Sequence, residues 1–175
     1  MSEFSYVYGK ALYDLAKEEG KTDLYLEELN GIRLLFKENP DYIKLLDTPA
    51  LPLYKRQSLI DEAFSGVETN IKSFIKILAS EKCAYLGVKA IDEFEKLFDE
   101  ENGIERVKVI TAVPLNEAQK SKLTLKLASL LDKKIILEEK TDTKILGGVV
   151  LELKNSRYDG SIKNRLDALC AMIKG

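Results

Sequence analysis

The period of the apolar residues changes once along the chain, near Gly103, and that change limits what the chain can fold into. Before it, apolar residues recur every three or four positions, the spacing of helices that bury one face. Beyond it they alternate, the spacing of strands. Such a chain reads as a mainly α protein: an N-terminal six-helix bundle followed by a small α+β C-terminal module.

In the first part, Phe4, Val7, Tyr8, Ala11, Leu12 and Leu15 form one helical stripe. Tyr25, Leu29, Ile32 and Phe36 predict a second helix, with Thr22 or Asp23 as its cap. Asn39-Pro40 predicts an N-cap and a first-turn proline for a short third helix, ending before Thr48-Pro49. Leu53, Arg56, Ile60 and Phe64 trace a fourth helix, closed near Ser65-Gly66. Ile71, Phe74, Ile75, Leu78 and Ala79 trace a fifth. Ile91, Phe94, Leu97 and Phe98 trace a sixth, ending at Asn102-Gly103, where glycine suits a left-handed helix end.

Past that glycine, Val107, Val109 and Thr111 predict a strand. Asn116 and Gln119 have capping-box spacing ahead of a helix carrying Leu123, Leu127 and Leu130. Ile135 to Leu137 is a short apolar strand, and Val149, Leu151 and Leu153 mark another. Asn155-Ser156 then turns the chain back toward Tyr158. Ser161 caps a last helix with the stripe Ile162, Leu166, Leu169 and Ile173. The module reads roughly β-α-β-β-β-α, and the domains are expected at 1–104 and 105–175.

Charge and aromatics divide at the same place. Residues 1–105 hold 13 Lys and Arg against 21 Asp and Glu, whereas the remainder holds 14 against 8. Of the aromatic residues only Tyr158 lies beyond residue 105. Two surfaces of opposite sign imply two modules with different partners.

Histidine is absent, which removes the commonest general base and metal ligand. Cys83 and Cys170 lack metal or redox spacing and read as small buried hydrophobes. No apolar run approaches the ~20 residues of a membrane span. Met1 to Tyr6 shows no basic segment leading into an apolar core, so no secretory leader is expected. Gly147-Gly148 lacks phosphate-loop spacing and leads into a strand, so a turn or bulge with close backbone approach accounts for it better. Asp159 and Ser161 have no base beside them in sequence and read as a strand-end turn and a helix cap. Lys154, Arg157, Lys163, Arg165 and Lys174 form a basic cluster. With almost no aromatics to stack on bases, it reads as a solvated face or a contact for an acidic protein rather than a nucleic-acid site. On the first helix, Tyr6, Gly9 and Tyr13 form a second side, either an interface or the mark of a helix buried on both sides. Ile77 lies off the main stripe of the fifth helix and raises the same question.

Four segments carry a resemblance that covers essentially the whole chain. They are Tyr8 to Ala16 (Tyr-Gly-Lys-Ala-Leu-Tyr-Asp-Leu-Ala), the pairs Asn39-Pro40 and Thr48-Pro49, Thr111 to Gln119, and above all Gly147 to Leu166. Their order and spacing resemble the delta subunit family of bacterial F-type ATP synthases, the counterpart of the mitochondrial oligomycin-sensitivity-conferring protein. Two departures stand out. Gly9 occupies a position where the family usually has alanine, and Ser80 to Cys83 replaces its Asn-x-Arg element.

The resemblance implies a non-catalytic stator subunit without cofactor or metal, present in one copy per complex. It would lie at the cytoplasmic face of the cell membrane without inserting into it. The helical bundle would bind N-terminal segments of the alpha subunits of the catalytic head through helices one and five. Tyr8, Ala11, Leu12, Ile75, Leu78 and Ala79 would form or support that face. The C-terminal module would hold the b subunits of the peripheral stalk, with Gly147, Gly148, Asp159, Ser161 and Arg165 serving mainly its fold. The competing expectation is a small basic-surface adaptor for nucleic acid or an acidic protein.

Overall fold

The computed structural model describes residues 3–145, 147–154 and 156–160. The chain is mainly helical, with a four-stranded sheet toward its C-terminus. It divides into two compact units, Met1–Phe98 and Asp99–Gly175.

The first unit contains α1 (Glu3–Glu18), α2 (Thr22–Glu38), α3 (Pro40–Asp47), α4 (Leu53–Ala63) and α5 (Thr69–Ser80). A 3-10 turn (Ala84–Leu86) then leads into α6 (Gly87–Glu101), whose last residues, from Asp99 on, belong to the second unit. The stripes read from α2, α5 and α6 supply the core, where Tyr25, Leu29, Phe36, Ile71, Leu78 and Phe94 are fully buried. Aromatic edges lock several helices: the Phe36 ring lies 6.3 Å from Phe64, and Tyr13 lies 5.3 Å from Phe94 at 76°.

The cap expectation fails at the start of α2. Lys21, not Thr22 or Asp23, occupies the N-cap of α2, and no side chain caps it. Its N–H already bonds to Ala16 O at 2.9 Å across the left-handed Gly20, so the chain enters α2 from a tight turn. Asn39 holds the N-cap position of α3 with Pro40 in the first turn, as expected, but its side-chain amide donates to Leu35 O at 3.0 Å, so the same residue also closes α2 and gives α3 no side-chain cap bond. Leu53, expected to face inward, is exposed at the first turn of α4, and inward packing begins at Arg56. The end of α5 needs a left-handed residue, and Lys82 adopts it at φ 54° while Cys83 N–H bonds back to Leu78 O at 2.8 Å.

The second unit contains β1 (Ile104–Thr111), α7 (Glu117–Leu131), β2 (Lys134–Thr141), β3 (Val149–Glu152) and β4 (Arg157–Asp159), with strand order β2-β1-β3-β4. Strands β1 and β2 are parallel, pairing Val107 with Leu137, so a crossover is required, and α7 supplies it. Strand β3 runs antiparallel to β1, setting Val109 opposite Leu151, and β4 runs antiparallel to β3. The core is small and aliphatic: Val107, Val109, Leu127 and Ile135, flanked by half-buried Leu123, Ala128 and Leu131. Helix α7 opens with a complete capping box, Asn116 accepting from Gln119 N–H at 2.8 Å and Gln119 accepting from Asn116 N–H at 3.0 Å. Leu130 breaks the expected stripe at 70 % exposure, because the row Leu123–Leu127–Leu131 faces the sheet and Leu130 lies outside it. Arg106 on β1 forms a bidentate pair with Asp99 at 2.7 and 3.1 Å. The helix expected after Ser161 lies outside the described residues.

Candidate functional site: an apolar face on α1 and α5

Helix α1 turns a different side inward from the one its main stripe suggests. Ser5, Gly9, Leu12, Tyr13 and Ala16 are buried. Phe4 (68 % exposed), Val7 (59 %) and Ala11 face outward, although all three belong to the stripe read as core. The cause is Gly9. A Cβ there would sit 2.5 Å from Ala90 O and 2.9 Å from Glu93 Cβ, so its absence lets α1 lie directly on the α6 backbone. The Gly9–Tyr13 side is therefore core rather than interface. Of that second set only Tyr6 remains exposed.

The outward residues flank one contact. Tyr8 is half-buried, and its ring meets Phe74 of α5 edge-on at 6.5 Å. Phe4 and Ala11 lie one helical turn to either side of Tyr8, and Ile77, 51 % exposed, lies one turn from Phe74. Burial raises the Tyr8 hydroxyl above its ordinary value, helped by the Cys83 thiol and the Glu81 carboxylate. The Cys83 thiol is likewise pushed up by burial. Both groups are protonated near neutral pH, which leaves the Tyr8 surroundings without their charge.

The structure sorts the expected site residues into two groups. Tyr8 and Ala11 can be touched from outside. Leu12, Ile75, Leu78 and Ala79 are buried and can only support the face. Phe4 and Val7 were missed as surface because their spacing alone matches a core stripe. Ile77 was legible, lying off its helix's stripe.

In the second unit, Gly147 and Gly148 adopt positive φ of 149° and 89° ahead of β3, conformations that favour glycine. They border a cavity of about 520 Å³ with Thr111, Val113, Leu115 and Gln119. At Gly160 a Cβ would stand 3.0 Å from Val149 O, so two backbones approach closely there. Asp159 ends β4. Ser161 and Arg165 lie outside the described residues.

Comparison with known proteins supplies the family. The model of the ATP synthase delta (OSCP) subunit family matches residues 5–173. The chain belongs to that family. Among its relatives is the ATP synthase subunit delta of Flavobacterium johnsoniae, 32% identical over 93% of this chain and 92% of that protein. The Clostridium botulinum protein of the same name is 33% identical over 95% and 93%. The fold recurs in a chain of the Toxoplasma gondii mitochondrial ATP synthase hexamer, with a TM-score of 0.77 at 16% identity over 98% of this chain and 97% of that one.

This delta-family chain is a non-catalytic structural subunit of the F-type ATP synthase, with a stator role in that membrane-associated complex. None of its described helices is long and apolar enough to cross a membrane.

Proposed function

We propose that the six helices of the first unit act as one bundle that binds N-terminal segments of the alpha subunits on the catalytic head. The observation that carries this reading is the outward apolar row Phe4, Val7 and Ala11 beside the Tyr8–Phe74 contact and Ile77. An amphipathic helix laid along it would bury several large side chains, each worth roughly 1.5–3 kcal/mol before ordering costs. The second unit holds the b subunits of the peripheral stalk. One copy per complex then links head to stalk at the cytoplasmic face of the membrane and resists rotor torque during proton- or sodium-coupled synthesis.

Calorimetric titration of this chain into the same organism's catalytic head, stripped of its own copy, tests the reading. Saturable binding of one chain per head is expected. Ala11→Asp, which places a charge on the apolar face without touching the core, should weaken binding by about tenfold or more. No heat and no co-elution with both components folded would overturn the role, and unchanged affinity in Ala11→Asp would remove this face.

A further inference from the structure

Arg56 on α4 is 5 % exposed, and no carboxylate among the described residues pairs with its guanidinium. Its Nη1 donates to Leu46 O at 3.0 Å and also to Ala79 O, while its Nε has no hydrogen-bond partner. Leu46 lies in the last turn of α3 and Ala79 in the last turn of α5. The buried cation thus meets the negative ends of two helix dipoles in place of a counter-ion. Helix α5 carries no basic residue in its own last turn, so α4 supplies the one that closes it.

The end of α5 borders the face described above. One turn before Ser80, Ile77 is exposed, and just past it Cys83 lies against Tyr8. Asp47, next to Leu46, accepts from Ala84 N–H at 2.7 Å and Tyr85 N–H at 3.1 Å, holding the segment that follows. Two polar side chains from the α3–α4 side therefore grip both flanks of residues 79–85.

We infer that Arg56 is a positioning residue for partner binding: it fixes the end of α5 so that Ile77 and Tyr8, backed by the buried Phe74 ring, present one preformed apolar face. The inference rests on the head-binding role proposed above. Preorganisation of this kind lowers the ordering cost of binding without adding a contact.

The test compares the full chain with Arg56→Met, which keeps an unbranched apolar stem and removes all donors, and Arg56→Lys, whose single ammonium cannot reproduce the guanidinium's planar fork. In Arg56→Met, the amides of Glu81, Lys82 and Cys83 should exchange about tenfold faster while those of α6 hold their rates. Its dissociation constant for the stripped head should rise by about tenfold or more, with Arg56→Lys intermediate in both readouts. Faster exchange spread evenly over α2, α5 and α6 would reduce Arg56 to general stability and overturn the inference. So would wild-type affinity in both variants while the wild-type chain binds. A wild-type chain that fails to bind the head overturns the head-binding role itself. Should Arg56→Met not fold, Arg56→Lys decides alone: weaker binding with a wild-type melting curve supports the inference, and unchanged binding sinks it.

Discussion

The two units solve the same problem, burying a core, with different materials. The first packs rings: Tyr13, Tyr25, Phe36, Phe64, Phe74 and Phe94 are buried, several meeting edge to face. The second packs a handful of aliphatic side chains between one helix and one sheet face, with Leu127 and Ile135 each still 8 % exposed. Large rings bury more area per ordered residue and add directional contacts, so the helical unit can leave apolar side chains on its surface and keep its shape. The aliphatic unit depends more on local devices: a complete capping box, left-handed turn glycines and a bidentate ion pair. One unit is a stiff platform carrying an apolar face, and the other is held together at its joints.

The sharpest way to break that contrast is to cut each core once. Phe94→Ala should cost about 3–5 kcal/mol, and Leu127→Ala about 2–3 kcal/mol because its site is smaller and not fully closed. Urea unfolding followed separately for each unit checks the order, and the reverse ranking would remove the comparison. Gly9→Ala comes next. Alanine favours helix by up to ~1 kcal/mol, yet its Cβ would meet Ala90 O, and forcing the helices apart should leave a net loss of about 1–2 kcal/mol. A more stable Gly9→Ala protein would show that α1 can shift freely on α6.

Removing a joint from the second unit should have a smaller effect. Asn116→Ala deletes the capping box and should lower stability by about 1 kcal/mol, seen as faster amide exchange in the first turn of α7 with the helical unit unchanged. The smallest effect runs the other way. Lys82→Gly relieves a left-handed residue at the end of α5 and should stabilise the first unit by up to about 1 kcal/mol in thermal unfolding.

Much of the secondary structure was readable from spacing. The start of β1 after Gly103, the Asn116–Gln119 box and the inward stripes of α2, α5 and α6 follow from local chemistry that a window of residues contains. Reading failed where two local options compete. At the start of α2 both Thr22 and Asp23 offer a cap, yet Lys21 holds the position because Gly20 turns the chain there. Of the site, Ile77 was legible from spacing and Tyr8 and Ala11 from the family resemblance, whereas Phe4 and Val7 were hidden inside a stripe that looked like core. Arg56 read as a stripe position, and nothing in its neighbourhood along the chain announces that it joins two helix ends.

The sequence by itself determined which residues share a helix face, where the period changes and to which family the chain belongs, because these are properties of spacing and order. Tertiary structure alone decided which of the two apolar sides of α1 is core. Helical period places side chains around an axis but does not say where a neighbour will lie. A missing Cβ at Gly9 admits the α6 backbone on one side, and the Phe4–Val7–Ala11 side is left facing outward.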